Sequence, residues 1–100
     1  MQKITFEEFE NIMSRDISES QGCIEVAFSV DGCLEYQSSH LGKMIDRDTK
    51  KDAYWFGLVP DGSKSYDFNS FGQFANAKIF YGKSIKEIWN TISLVFVDIC

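Results

Sequence analysis

The sequence has few of the residues that most often build metal centres and catalytic sites. It contains one histidine, His40, and three cysteines, Cys23, Cys33 and Cys100, with no C-x-x-C pattern. Zinc and related metals need several such ligands at close spacing, so we expect no metal or other cofactor. A His–Cys catalytic pair is not expected either, because Cys23 and Cys33 lie in predicted strands with nothing nearby to activate a thiol. The sequence therefore predicts that the protein is not an enzyme and that its thiols are reduced.

Basic residues are also scarce. The chain has ten Lys and Arg against fifteen Asp and Glu, which gives a formal net charge of −5. Non-specific nucleic-acid binding depends on clustered Lys and Arg side chains that release counterions, so the composition argues against it. The same charge favours association with a basic protein partner.

Long apolar runs are absent as well. No window approaches the roughly 20 apolar residues of a membrane span, and the first residues lack the apolar stretch of a signal peptide. We therefore expect a cytoplasmic protein that does not enter a membrane. The chain is nevertheless 44% apolar and 15% aromatic, and it has no linker-like segment. This composition predicts that residues 1–100 form a single globular domain.

Three pairs of residues have the spacing of a capping box, which marks the start of a helix. They are Thr5 with Glu8, Ser70 with Gln73, and Ser84 with Glu87. The first pair predicts an N-terminal helix that begins at Phe6. The second predicts only a short helical turn. The third precedes apolar residues at helical spacing and predicts a second main helix near the C-terminus.

The first predicted strand covers residues 24–29, where Ile24, Val26 and Phe28 alternate with Glu25, Ala27 and Ser29. The turn signal at Asp31 and Gly32 predicts a hairpin with a three-residue loop. Matching the apolar faces then pairs Phe28 with Leu34 and Val26 with Tyr36.

That register has a consequence for the cysteines. It separates Cys23 from Cys33 by about 20 Å along the hairpin, which is too far for a disulfide between them.

The rest of the chain predicts more strands around one long loop. Residues 38–52 are polar and charged, which predicts a long exposed loop between strands. Residues 53–59 are apolar at nearly every position, which predicts a strand buried on both faces. A fourth strand is expected at residues 66–69. Residues 94–99 fit either an extension of the last helix or a final strand, and their β-branched and aromatic content favours the strand. The predicted fold class is α+β, an antiparallel β-meander of about four to five strands packed against two main helices.

Two segments resemble ligand-binding motifs but lack residues that those motifs require. Residues 77–84 resemble a loosened phosphate-binding loop, but bulky Ile79, Phe80 and Tyr81 stand where the backbone must wrap closely around phosphate. The acidic run that contains Asp46, Asp48 and Asp52 lacks the central glycine and terminal glutamate of a calcium loop. We interpret the first segment as a turn and the second as a solvated loop.

The leading functional hypothesis is a non-enzymatic protein-interaction domain, such as a small acidic inhibitor, immunity-type or anti-defence protein that acts on a basic partner. Its candidate partner-binding residues, chosen for predicted exposure, charge and aromatic character, are Glu35, Tyr36, Asp46, Asp48 and Asp52. The alternative is a small-molecule-binding module with an aromatic pocket. A homodimer is a further hypothesis, because a strand at residues 94–99 on a sheet edge can pair with its copy in a second chain.

Overall fold

The chain forms one antiparallel sheet with its helices packed on one side. The computed structural model describes residues 3–15, 17 and 22–99. The helices in that part of the chain are α1 (Phe6–Met13) and α2 (Phe71–Asn76), together with 3₁₀ turns at Leu34–Tyr36 and Trp89–Thr91. The strands are β1 (Cys23–Val30), β2 (Ser39–Ile45), β3 (Asp52–Gly57), β4 (Ser65–Phe68) and β5 (Ile92–Ile99).

The spatial order of the strands is β4-β3-β2-β1-β5, and all neighbours run antiparallel. Strands β1 to β4 form a meander, and β5 returns to pair with the outer side of β1. The predicted α+β class, with an antiparallel sheet of about five strands and two helices, is confirmed. The strand prediction for residues 94–99 is also confirmed, and β5 is an edge strand.

The predicted β1 hairpin is wrong. Strand β1 pairs with residues 39–45, so Val26 lies opposite Leu41 and Phe28 opposite Ser39. Residues 34–36 instead form a 3₁₀ turn in which Leu34 is 95% exposed and Tyr36 is buried. Much of the expected exposed loop is therefore strand β2. Its period-two pattern is hidden because the core side of β2 carries Ser39 and Lys43 beside Leu41.

Local capping signals predict the helix starts well. The Thr5 side chain accepts a hydrogen bond from the Glu8 backbone N–H, and the Glu8 carboxylate accepts one from the Thr5 N–H. The same reciprocal pair forms between Ser84 and Glu87. That second box opens a series of turns and the 3₁₀ segment at Trp89–Thr91 rather than a regular α-helix, and α2 is the helix capped by Ser70.

The core lies between the helices and one face of the sheet. Its centre is aromatic. The rings of Phe56 and Phe74 stack with centroids 4.2 Å apart, and the ring centroids of Phe9 and Tyr54 lie 6.3 and 5.8 Å from that of Phe74. Aromatic pairs of this kind add to the free energy gained by burying apolar area. Ring contacts therefore join α2 to strands β3 and β4, and they join α1 to α2.

Strand β3 is covered on one face only, which corrects the prediction that both of its faces are buried. Tyr54 and Phe56 point into the core, whereas Trp55 between them is only half-buried on the other face. No helix of the described residues packs on that second face. Antiparallel sheets commonly leave one face to solvent, and in this chain the solvent-facing side chains include aromatic ones. We call this surface the open face.

Candidate functional site

The five residues predicted to bind a partner lie at opposite ends of the sheet. Glu35 and Tyr36 precede β2, whereas Asp46, Asp48 and Asp52 follow it. The seven residues of β2 span about 20 Å at the usual rise per residue of a strand. The structure therefore does not bring these residues together into one surface.

The residues at the first end are held in an internal network. The Glu35 carboxylate accepts hydrogen bonds from the Tyr81 hydroxyl and, at 3.1 Å, from the Lys64 ammonium. Those donors lower the pKa of Glu35, and the carboxylate in turn raises the pKa of Tyr81 to about 12. Tyr36 is only 2% exposed, so its predicted exposure is wrong, and its hydroxyl lies 3.1 Å from the Lys64 ammonium.

The acidic residues at the other end have partly structural roles. Asp46 accepts hydrogen bonds from the backbone N–H groups of Asp48 and Thr49, at 2.8 and 3.0 Å, and these bonds lower its pKa. Asp52 pairs with the buried Lys43 ammonium at 3.4 Å. Of the three predicted residues, only Asp48 extends an exposed carboxylate with no ion pair among the described residues.

The open face carries a row of side chains that crosses all five strands. Strand pairing places Asp67 opposite Trp55, Trp55 opposite Gly42, Gly42 opposite Glu25, and Glu25 opposite Asp98. Directly paired residues in an antiparallel sheet point to the same face. Three carboxylates therefore stand in line with one indole ring, and we call these five residues the acidic row.

Gly42 sets the position of the indole in this row. A Cβ atom at Gly42 would lie 2.6 Å from Cζ2 and 2.7 Å from Cε2 of Trp55. Real Cβ contacts are not this short, so the ring occupies the space that any other residue would fill. Trp55 consequently lies across strand β2 toward Glu25, rather than standing upright from the sheet.

A second row runs beside the first and is less charged. His40 lies opposite Ala27 on β1 and Gly57 on β3, and Ala27 lies opposite Phe96 on β5. The rings of His40 and Phe96 approach across the small Ala27 side chain, with centroids 6.2 Å apart. Met44, which is also exposed on this face, extends the apolar surface along β2.

The carboxylates of the acidic row have no cationic partner among the described residues. Four ion pairs form in that part of the chain, and none includes Glu25, Asp67 or Asp98. Glu25 and Asp98 are also direct cross-strand neighbours, an arrangement in which like charges destabilise a sheet. The open face thus combines exposed aromatic surface with negative charge that the described residues do not neutralise.

A separate groove lies near the Glu35 network. It has a volume of about 300 Å³, and Tyr36, Phe80 and Tyr81 supply its aromatic surface. Cys33 and Lys83 stand at the same groove. Its volume is at the lower end of the range for small-molecule sites.

Cys23 corrects the expectation of reduced thiols. It is disulfide-bonded, whereas Cys33 is a free thiol, so the excluded Cys23–Cys33 bond does not form. The prediction was wrong for Cys23 because the spacing of cysteines in the sequence does not show which thiols meet in the fold. The third cysteine, Cys100, lies outside the described residues.

The part of the chain that the structure describes has neither a metal-ligand cluster nor a membrane-spanning helix. Across residues 3–15, 17 and 22–99, no group of three His, Cys, Asp or Glu side chains is arranged to hold a metal ion. Within those ranges, no helix has the length and apolar character needed to span a bilayer.

The fold and the open face define an α+β domain whose antiparallel sheet is covered by the described helices on one face only. In comparisons with known proteins, no family model, curated protein or solved structure matches the chain. The acidic row was missed by sequence reasoning because it depends on strand register. Its one signal in the local sequence is Trp55, which stands between Tyr54 and Phe56. Successive residues of a strand point to opposite faces, so the indole must lie on the face away from those two rings.

Proposed function

We propose that this chain is a non-enzymatic protein-interaction domain that binds a basic partner through the open face. The observation that supports the proposal is the acidic row, in which Glu25, Asp67 and Asp98 flank Trp55 and form no ion pair with any described residue. Tryptophan is enriched at the energetic centres of interfaces. Complementary charge speeds association and selects the partner.

The net charge of −5 acts in the same direction as the acidic row. A basic surface on the partner would be drawn to the face, and the aromatic side chains would then be buried against it. A small acidic domain that covers such a surface blocks access of other acidic molecules to it. This is the mode of action we propose for an inhibitor, an immunity-type or an anti-defence protein.

The decisive experiment compares two double variants that carry the same charge change. Glu25→Lys with Asp98→Lys reverses the acidic row, and Glu10→Lys with Asp48→Lys reverses two exposed carboxylates on α1 and in the β2–β3 loop. Each tagged protein is used to capture partners from its native cells at low and moderate salt. Mass spectrometry then measures which proteins lose enrichment.

We expect a basic protein that the wild type and the Glu10/Asp48 variant capture, that the Glu25/Asp98 variant does not, and that is released as salt rises. Equal capture by both variants would contradict the proposal for the open face. If the Glu10/Asp48 variant alone lost the partner, the interaction surface would include α1 or the β2–β3 loop, and the single variants Glu10→Lys and Asp48→Lys would show which.

A small-molecule-binding module is the second candidate function, because the groove beside Tyr36, Phe80 and Tyr81 offers about 300 Å³. The hydrogen bond from Tyr81 to Glu35 and the ring contact between Tyr36 and Tyr81, with centroids 5.6 Å apart, hold one wall in place. A screen of aromatic fragments by NMR tests this candidate. Shifts confined to amides around the groove would support it, and no shifts at millimolar ligand would refute it.

A cytoplasmic location belongs to the proposal as well, and Cys23 provides its test. Disulfides are rare in the reducing cytoplasm, whereas Cys23 is disulfide-bonded in the structure. Thiol labelling of protein taken directly from native cells should find Cys23 reactive if the location is cytoplasmic. A labelled Cys33 with a protected Cys23 would instead indicate an oxidising compartment.

A further inference from the structure

Strand β5 leaves one long edge of the sheet unpaired. It is last in the strand order, eight residues long, and paired on one side only with β1. The backbone groups on its other side therefore have no strand partner among the described residues. Such an edge is a template for another strand, and proteins usually protect it with lysine, proline or a covering loop.

The edge of β5 has little of that protection. Residues 92–99 contain no proline, lysine or arginine. Four exposed large apolar side chains lie on this one strand: Val95 at 54%, Phe96 at 48%, Val97 at 40% and Ile99 at 41%. A register shift between Ala27 and Phe28 interrupts the pairing at Val95, and the ladder is regular from Phe96 to Ile99. The segment open to pairing is therefore residues 96–99.

The charge beside this edge indicates what kind of strand fits. Asp98 faces the open side of the sheet next to Glu25, and neither carboxylate has an ion pair among the described residues. A lysine or arginine aligned with Asp98 on an added strand would relieve this repulsion. A second copy of the chain would supply no such cation from β5, whose one charged residue is Asp98, and it would bring another net charge of −5.

We propose that an extended segment of the basic partner pairs with residues 96–99 as a sixth strand. This inference rests on the proposed function and specifies how the partner is held. Because directly paired residues share a face, a lysine or arginine opposite Asp98 lies on the open face. The residues opposite Val97 and Ile99 lie on the helix side of the sheet and are apolar. The partner segment therefore alternates apolar and basic residues.

The test uses a defined peptide rather than an unknown ligand. The probe is a blocked, fluorescently labelled seven-residue peptide in which valines alternate with lysine or arginine. Its binding to the full chain is measured by fluorescence anisotropy, and amide hydrogen exchange of residues 96–99 is followed in parallel. Two control peptides have the same charge: one has its residues reordered so that the alternation is lost, and the other is N-methylated at alternate positions on its pairing edge.

We expect the alternating peptide to bind and to slow amide exchange in residues 96–99. Asp98→Lys should weaken binding by about tenfold or more, as expected for the loss of one charge-assisted hydrogen bond. Glu10→Lys, which makes the same charge change on α1, should leave binding within about twofold. The N-methylated peptide should lose about tenfold, because it cannot complete the ladder.

Several outcomes would overturn strand addition. Equal binding of the alternating and N-methylated peptides would show that the protein recognises the charge of the peptide side chains and forms no backbone ladder with it. If the protein is already a dimer at low concentration and does not bind the peptide, a second copy of the chain pairs with β5 instead. If partner capture depends on Glu25 and Asp98 while no peptide protects residues 96–99, strand addition fails and the open-face proposal stands.

Discussion

Replacing Gly42 with alanine tests the geometry of the acidic row directly. The new Cβ atom would lie 2.3 Å from the backbone oxygen of Ile24 and 2.6 Å from Cζ2 of Trp55. The first neighbour is the main chain of the paired strand β1 and cannot rotate away. The second is a ring that can leave only by losing its place across the sheet. We therefore expect Gly42→Ala both to separate β1 from β2 locally and to expose Trp55.

The expected loss of stability has two contributions, the overpacking at Gly42 and the exposure of the Trp55 ring. Overpacking of this kind costs about 1–3 kcal/mol. Returning about 60 Å² of the indole to water adds about 1.5 kcal/mol at the usual value per unit of apolar area. The free energy of unfolding should therefore fall by about 3 kcal/mol, which corresponds to about 2 M in the urea midpoint for a chain of this size.

Gly57→Ala is the matched control. Gly57 lies on the adjacent strand and the same face, but a Cβ atom there meets only Cζ3 of Trp55 at 3.8 Å, an ordinary contact. We expect its stability to stay within about 0.5 kcal/mol of the parent. Both variants are made with Trp89→Phe, so that Trp55 is the sole tryptophan, and urea unfolding is followed by its emission.

The folded Gly42 variant should emit at longer wavelength than the Gly57 variant, because its indole is in water. Equal urea midpoints for the two variants would refute the reasoning, since the clash with the Ile24 oxygen is absent in one of them. A lower midpoint without a wavelength change would mean that the ring does not depend on Gly42. The account of how Trp55 is positioned would then be wrong.

Three other substitutions test the packing and the charges. Lys43→Ala removes a buried ammonium that donates to the Arg15 carbonyl at 2.8 Å, and it should cost about 2–3 kcal/mol in urea unfolding; no change would contradict its structural role. Phe74→Ala empties the centre of the aromatic core and should cost about 3–5 kcal/mol in the same assay. The bond from Lys78 lowers the pKa of Glu87 to about 2, so Glu87→Gln should be less stable than wild type above about pH 4.5. This difference in stability between the variant and the wild type should shrink as the pH falls through about 2. A difference that persists at lower pH would contradict the assignment of the effect to the ionised Glu87 carboxylate.

The sequence was most informative where a structure depends on local contacts. The Thr5 and Ser84 capping boxes form because both partners lie within one helical turn. The α+β class follows from the alternation of strand and capping signals, which survives errors in individual elements. The segment after Ser84 departs from a regular helix, and the Trp89 indole N–H in that segment donates to the distant Ile4 carbonyl. That bond is not visible in any local pattern.

Strand β2 shows why the candidate site was not found from sequence. Its core side includes Lys43, which is buried because the Arg15 carbonyl and the Asp52 carboxylate satisfy its ammonium. Those partners are not apparent in the local sequence, so residues 39–45 read as a polar loop. With β2 missing, β1 was paired with the wrong segment. The acidic row exists only in the correct register, and a misplaced strand removes it entirely.

The distribution of ion pairs distinguishes the open face from ordinary solvent-exposed sheet. Elsewhere in the described residues, four lysines pair with carboxylates: Lys3 with Asp31, Lys43 with Asp52, Lys64 with Glu35, and Lys78 with Glu87. The acidic row receives none of these lysines, and beside its carboxylates it holds an exposed aromatic surface. A sheet face that only meets water needs neither unpaired carboxylates nor exposed aromatic side chains. Lys or Thr at these positions would destabilise the sheet less. Both features are explained together if a cationic, partly apolar partner completes the face.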